Sequence, residues 1–305
     1  DREGPIRIRP VFDRLSENLV PQDWEILARH VVEVFHEGAQ GVVVAHGTDT
    51  LGFTAAGLSF LLEDLPGPVV LTGAQRSPDR PSSDGVSNLH SAVRVARHPR
   101  LAEVVVVMHD GLSDDRFAIH RGTRVRKMHS SRRDAFRSLN GPPIGFAQPG
   151  GIELAAPFRE RSEGPARFAG PLGLDAGLLW SYPGLEADRA RAFVQQLRGV
   201  VLAGTGLGHI ASAHIPWISE ATAKGIVVVM TTQCLEGNVD PFVYETGREL
   251  VKAGVLYVRD MLPEVAYAKL LWALGRSRDR SEVHFLMLKD RAGELSDRHV
   301  VGESS

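Results

Sequence analysis

Three side chains in this sequence could together attack a carbonyl: the hydroxyl of Thr48, the carboxylate of Asp49 and the amine of Lys127. A threonine hydroxyl is a poor nucleophile until a base within reach takes its proton, because its own pKa lies far above working pH. Lysine can be that base where burial lowers its pKa; arginine cannot, because it stays protonated. A carboxylate beside the lysine would orient it. The lysine stands out by its setting. Among 35 basic residues, only Lys127, Lys224, Lys252, Lys269 and Lys289 are lysine, and Lys127 sits in the arginine-rich run TRVRKMHSSRRD, Thr123 to Asp134. Arginine-favouring codon usage explains the scarcity equally well. Thr-Asp-Thr is also a good helix N-cap sequence, and a lysine in a basic loop is usually a solvated charge. Spacing alone leaves both accounts open.

The elements around these residues favour a shared site. VVVAHGTDTLGF, Val42 to Phe53, joins a continuous apolar run to the start of a helix. Such runs are strands buried on both faces, and ligands of parallel α/β sheets sit beyond the strands' carboxyl ends. The free backbone N–H groups of a helix start can hold developing negative charge there. Upstream, PQDWEILARHVVEVFHEG carries Trp24, Leu27, Val31, Val34 and Phe35 at helical spacing and ends at Gly38. Downstream, PVVLTGA and EVVVVMH read as strands, with helices over 50–62 and 84–97. Strands alternating with helices predict a parallel sheet with helices on both faces.

The stretch 110–140 is polar, basic and of mixed periodicity, which predicts a surface course. Gly, Pro and Ala then crowd 141–173. A second α/β series follows through GLLWSYPG, GVVLAGTGLGH and GIVVVMTTQC, with helices over 186–197, 215–224, 246–253 and 263–274. The fold class is therefore α/β: a larger parallel-sheet domain over 1–150, a linker over 151–173 and a smaller parallel α/β domain over 174–305. The bulk numbers agree. The sequence has 305 residues, is 43% hydrophobic and 24% charged, and has a net charge of -2. Nothing global points to nucleic acid, and no apolar run has the length of a membrane span. A lone cysteine, Cys234, excludes an intramolecular disulfide and fits a reducing cytoplasm.

Longer motifs carry a resemblance. AHGTDT, TGAQRSPDRPSSD and RGTRVRKMHSSRRDAFRS are similar to the asparaginase/glutaminase family of threonine amidohydrolases. LSEN (Leu15 to Asn18), TTQCLEGNVD (Thr231 to Asp240), ETGRELVKAGV (Glu245 to Val255), DMLPEVAYAKLLWALG (Asp260 to Gly275) and the RAGELSDR tail extend the likeness. They resemble most one branch, the D subunits of archaeal-type glutamyl-tRNA(Gln) amidotransferases. The resemblance implies that Thr48, Asp49 and Lys127 are catalytic. It implies that Ser16 and Glu17, with Asp49, hold the α-carboxylate and α-amine of the substrate amino acid. It implies a threonine acyl-enzyme on glutamine, with the ammonia passed to a partner subunit that converts Glu-tRNA(Gln) to Gln-tRNA(Gln). No cofactor or metal is implied for this subunit; ATP and Mg belong to the partner's kinase/transamidase site. tRNA(Gln) is then engaged mainly through the partner, and the assembly is a homodimer within a heterotetramer.

The family's first strand and its Thr-Gly-Gly-Thr-Ile loop, whose threonine is usually the primary nucleophile, have no counterpart in these residues. On that ground the expectations include an incomplete site and an unpaired strand edge. A free-standing cytosolic L-asparaginase and a non-catalytic remnant stand as alternatives.

Other features are weaker. Gly204-Thr205-Gly206-Leu207-Gly208 misses the dinucleotide-loop spacing and reads as a backbone turn. His109, His120 and His129 lack a dense metal-ligand pattern and read as surface or hydrogen-bonding residues. Arg121, Arg124, Arg126, Arg132, Arg133 and Arg137 form either a solvated face or a phosphate-contacting one. Gln75 to Asp84 reads equally as a rigid loop or a pocket contact. Cys234 is expected to be a small buried hydrophobe.

Overall fold

A computed structural model describes residues 5–77 and 79–296; the last two residues of the RAGELSDR tail lie outside them. Two sheets organise the chain. The larger runs in the order Val42–Ala45, Val69–Thr72, Val104–His109, Phe117–Arg121, Gly145–Gln148, Gly151–Leu154. Its first three strands are parallel and its last three pairings antiparallel. The smaller sheet, Ala176–Trp180, Gly199–Gly204, Val227–Thr232 and Leu256–Tyr257, is parallel throughout.

The α/β class and the two-sheet plan agree with the sequence, while the larger sheet is mixed rather than wholly parallel. The difference lies in 110–140. Phe117–Arg121 is a buried inner strand, not a surface segment, and Val125–Lys127 pairs with Phe136–Ser138 as a hairpin. Phe117, Ala118 and Ile119 are too few apolar residues to show through their charged flanks, yet each is at most 5% exposed. The larger sheet also continues past position 150, because Gly151–Leu154 forms its last strand. Arg167–Phe168 pairs with Leu62–Glu63, so the segment expected to be a linker is in part sheet.

Helix Pro21–His36 buries Trp24, Leu27, Val31 and Phe35, and its start is held by Asp23 accepting the Val20 amide at 2.9 Å. Helix Leu51–Leu61 is apolar nearly all round because it is covered on all sides. It packs against helix Pro263–Arg276, where the Phe60 and Trp272 rings lie 6.3 Å apart. Leucines and valines from both sheets join this one core, including Leu71, Val106, Val201 and Val229. The two sheets are thus welded by shared apolar burial as well as by the chain.

Among the described residues, Val42–Ala45 is an edge strand, paired only with Val69–Thr72 and partly exposed along its length.

Candidate active site

Strand Val42–Ala45 ends at the loop His46 to Thr50, and helix Leu51–Leu61 starts there with Thr50 at its cap position. The Thr50 side chain does not cap the helix; its hydroxyl donates instead to the Ser16 carbonyl at 2.8 Å. Nor do Thr48 and Asp49 turn back on the helix start. Lys127 Nζ donates to Thr48 Oγ1 at 2.9 Å and to Asp49 Oδ1 at 2.7 Å. The lysine side chain is only 15% exposed, whereas Asp49 is 67% exposed. An amine within hydrogen-bond reach of a hydroxyl is placed for proton transfer, and the carboxylate fixes its direction. Thr48–Asp49 and Lys127, distant in sequence, meet in one hydrogen-bonded cluster at the strand end.

Ser16 and Glu17 lie on the short 3-10 turn Ser16–Asn18, with Ser16 buried and Glu17 exposed. Ser16 is pressed onto the same loop: a methyl on Gly47 would fall 2.8 Å from Ser16 Cβ and from its Oγ. Only a glycine admits that approach. Together with the Thr50–Ser16 hydrogen bond, this brings Ser16 alongside Thr48 and Asp49 and leaves Glu17 on the open side of the turn.

His46 braces the loop from within. Its Nδ1 is 2.6 Å from the Gly47 carbonyl and its Nε2 is 2.9 Å from Thr54 Oγ1. The carbonyl can only accept, so Nδ1 carries the proton and Nε2 accepts from the Thr54 hydroxyl. This is a neutral imidazole. Burial lowers its pKa, and the Gly47 hydrogen bond opposes that shift only in part.

The hairpin that carries Lys127 is positioned by both halves of the chain. Lys127 pairs across it with Phe136, which is fully buried. At the hairpin's base, Arg124 Nη1 reaches Asp260 Oδ2 at 2.7 Å, with both side chains at most 10% exposed. Arg124 Nε also donates to the Gly293 carbonyl at 2.8 Å. Next to Lys127, Arg126 Nε lies 3.6 Å from Glu264 Oε1 in the first turn of helix Pro263–Arg276. Burial raises the pKa of Glu264, and the Arg126 charge counters it. For Asp260, burial pushes upward but Ser296 and Arg124 outweigh it, and the carboxyl ends below its usual range.

Several expectations need correction or sharpening. The arginines are not a free basic face. Arg121 pairs with Glu103, Arg124 with Asp260, Arg126 with Glu264, Arg132 and Arg137 with Asp134, and Arg133 with Asp114. Among the described residues, the Gln75 to Asp84 loop is held by hydrogen bonds rather than by Arg–Asp pairs: Asp84 accepts the Gln75 and Arg76 amides at 3.1 and 2.9 Å, Arg76 donates to the Pro81 carbonyl, and Arg133 donates to the Ser82 carbonyl from outside. His109 and His120 are buried and hydrogen-bonded, while His129 accepts two backbone amides in an exposed turn. Gly204 to Gly208 is a backbone turn closed by Thr205 and His209. Cys234 is exposed, because strand Val227–Thr232 ends before reaching it.

Sequence reading gave no role to His46, Thr54, Gly73 or Asp260, and took Arg124 only as part of a basic face. Only Gly73 carried a signal: a glycine just past a strand end, facing a candidate nucleophile, suggests close backbone approach. A methyl there would lie 2.4 Å from the His46 carbonyl and 3.0 Å from Thr48 Cγ2.

The family models for the N-terminal asparaginase domain and for the glutaminase/asparaginase C-terminal domain match residues 3–158 and 177–287. The chain belongs to the asparaginase/glutaminase family. The D subunit of the glutamyl-tRNA(Gln) amidotransferase from Pyrococcus horikoshii is 48% identical over 294 residues, which are 95% of this chain and 67% of that protein. The corresponding protein of Saccharolobus islandicus is 45% identical, with 95% of this chain and 66% of that protein covered. The chain thus spans about two thirds of the length of these relatives. Among solved structures, the thermostable L-asparaginase from Thermococcus kodakarensis superposes with a TM-score of 0.89 at 36% identity, covering 98% of this chain and 89% of that one.

Proposed function

We propose that the chain is the glutaminase subunit of a tRNA-dependent amidotransferase. The observation that carries the reading is the Lys127 amine, 2.9 Å from the Thr48 hydroxyl and 2.7 Å from the Asp49 carboxylate, in a chain of this family. Once it has given up a proton, the amine takes the hydroxyl proton as the oxygen attacks the side-chain amide carbon of glutamine. The resulting ammonium returns a proton to the leaving nitrogen, ammonia departs, and an ester links threonine to the glutamyl group. Water then adds to the ester carbonyl and regenerates the hydroxyl. Asp49 holds the ammonium between the two transfers. Its exposed side, with Glu17, would pair the substrate's α-ammonium, and Ser16 would bond the α-carboxylate.

Likeness to the amidotransferase proteins of Pyrococcus horikoshii and Saccharolobus islandicus supports the biological role. Ammonia would pass to a partner subunit holding ATP and Mg at a kinase/transamidase site, which amidates Glu-tRNA(Gln). tRNA(Gln) binds mainly through that partner, and this subunit needs no metal or cofactor of its own. That the arginines of 121–137 are already ion-paired supports assigning phosphate contacts to the partner. The working assembly is a homodimer within a heterotetramer, and its setting is cytoplasmic. Among the described residues, no helix is long and apolar enough to cross a membrane.

The test is ammonia release by the full natural chain from glutamine and from asparagine, alone and with partner subunit and Glu-tRNA(Gln). Glutamine turnover should rise on adding both. Indifference to both, with asparagine preferred, would establish the free-standing asparaginase reading that the Thermococcus kodakarensis structure favours.

A further inference from the structure

His109 ends strand Val104–His109 with its side chain fully buried and both ring nitrogens engaged. Nδ1 lies 2.7 Å from Asn88 Oδ1 and Nε2 lies 2.8 Å from Asp114 Oδ1. The protons on this ring follow from the partners. The other end of the Asn88 amide faces two acceptors, the Gly73 carbonyl at 2.9 Å and Asp84 Oδ2 at 3.0 Å. That end must be the NH2, so Oδ1 faces His109 as an acceptor. Asp114 also accepts only, being ionised: the His109 and Ser87 hydrogen bonds hold its carboxyl below the usual range, and Arg133 adds to them. Both ring nitrogens therefore donate.

The network ends at the nucleophile. Asn88 grips the carbonyl of Gly73, and the α-carbon of Gly73 is packed against Thr48 Cγ2 and the His46 carbonyl. Asp84 ties the same Asn88 amide to the Gln75 and Arg76 backbone. At the far end, Arg133 Nη1 lies 3.4 Å from Asp114, and its Nη2 donates to the Ser82 carbonyl at 2.7 Å.

We propose that His109 is a positioning residue, held as a buried imidazolium between Asn88 and Asp114, which fixes the Gly73 peptide and through it the Thr48 hydroxyl. Loss of either ring proton would turn a lone pair toward an acceptor. The Asn88 amide would then rotate or withdraw, and Gly73 would lose its hold. The groups that face His109 set its charge. Asp114 contacts it directly, and Arg133 opposes from behind Asp114. Asp84 acts through Asn88 on helix Gly85–Ala96, and the Phe117 ring, 4.5 Å away, covers one side. The adjoining loop adds Asp110, Asp115 and Arg116, with Arg116 paired to Asp110. The role rests on Thr48 being the reactive hydroxyl.

Three measurements test it. In 15N-histidine spectra at pH 7, His109 should show two protonated ring nitrogens; a neutral tautomer overturns the proposal. Asp114 is surface-accessible, so Asp114→Asn should fold normally. Its turnover should match the parent at pH 6 and fall off earlier than the parent's as pH rises, with KM within twofold; an unshifted profile overturns the proposal. His109→Gln offers one donor where two are needed and should lower kcat about tenfold; parental kcat overturns it. Thr48→Val, run alongside, separates the two levels. An active Thr48→Val refutes the functional reading and the positioning role with it. An inactive Thr48→Val with a neutral His109 refutes this inference alone.

Discussion

Replacing Gly73 with alanine tests the crowding behind the nucleophile. The added methyl would sit 2.4 Å from the His46 carbonyl oxygen, a contact that real Cβ atoms do not make below 3.0 Å. The neighbour is backbone, so a flexible side chain cannot simply swing aside. The His46 peptide must retreat by roughly 0.6 Å, and overpacking of this kind costs about 1–3 kcal/mol. His46 is also locked to the sheet, its amide donating to the Thr72 carbonyl at 2.9 Å, so the shift passes forward into Gly47 and Thr48. A 1 Å misplacement of a reacting group costs roughly 100-fold, so a displacement of this size should lower kcat about tenfold. At roughly 2–4 °C per kcal/mol for chains of this order, Tm should drop by several degrees. Ammonia release and scanning calorimetry on Gly73→Ala would measure both. Gly111→Ala, where nothing lies within 4 Å of the added methyl, is the control and should change neither. If Gly73→Ala keeps parental kcat and Tm, the strand-end loop is pliable and the crowding argument is refuted.

Further outcomes follow from other contacts. Lys127→Met and Thr48→Val should each cut ammonia release by roughly 10²–10⁴-fold with unaltered circular dichroism; normal turnover in either would remove that residue from the reaction. Asp260→Ala leaves Arg124 buried without its partner and should cost about 3–5 kcal/mol in urea unfolding. The pH dependence gives a second reading of the same pair. The Asp260 carboxyl is depressed in the folded state, so its stabilisation is present above the unfolded carboxylate pKa of about 3.9 and is lost as pH falls through the lower folded value. The gap in stability between parent and Asp260→Ala should therefore narrow as the solution is acidified; a constant gap would contradict it. Thr54→Val strips the donor from His46 Nε2 and should cost about 1–3 kcal/mol, read as a lowered unfolding midpoint.

What the sequence revealed depended on how local its signal was. The continuous apolar runs at Val69, Val104, Val200 and Val227 announce buried strands because both faces of the sheet, to which successive residues alternate, are covered; the run at Val42 reads the same way but forms a partly exposed edge strand. Helix Pro21–His36 was legible because its apolar stripe recurs over four turns. The meeting of Thr48, Asp49 and Lys127 was inferred from chemistry and from likeness to a family, since nothing local links positions so distant. Phe117–Arg121 was hidden because its partners, Val104–His109 and Gly145–Gln148, supply the burial that its own short apolar stretch does not advertise. Arg124 and Asp260 are ordinary residue types in polar surroundings, and only the tertiary fold, which brings the turn before helix Pro263–Arg276 to the base of the hairpin, makes them a pair. Asn88 was silent, and His109 legible only as a surface or hydrogen-bonding histidine, for the same reason: a hydrogen bond across two elements leaves no periodicity.

The hairpin bearing the amine springs from the larger sheet yet is bolted, through Asp260 and Glu264, to the turn and helix that follow the smaller sheet's last strand. Its reach toward the hydroxyl is therefore a gauge of how the two halves are tilted against each other. Any change in that tilt would lengthen or shorten the reach.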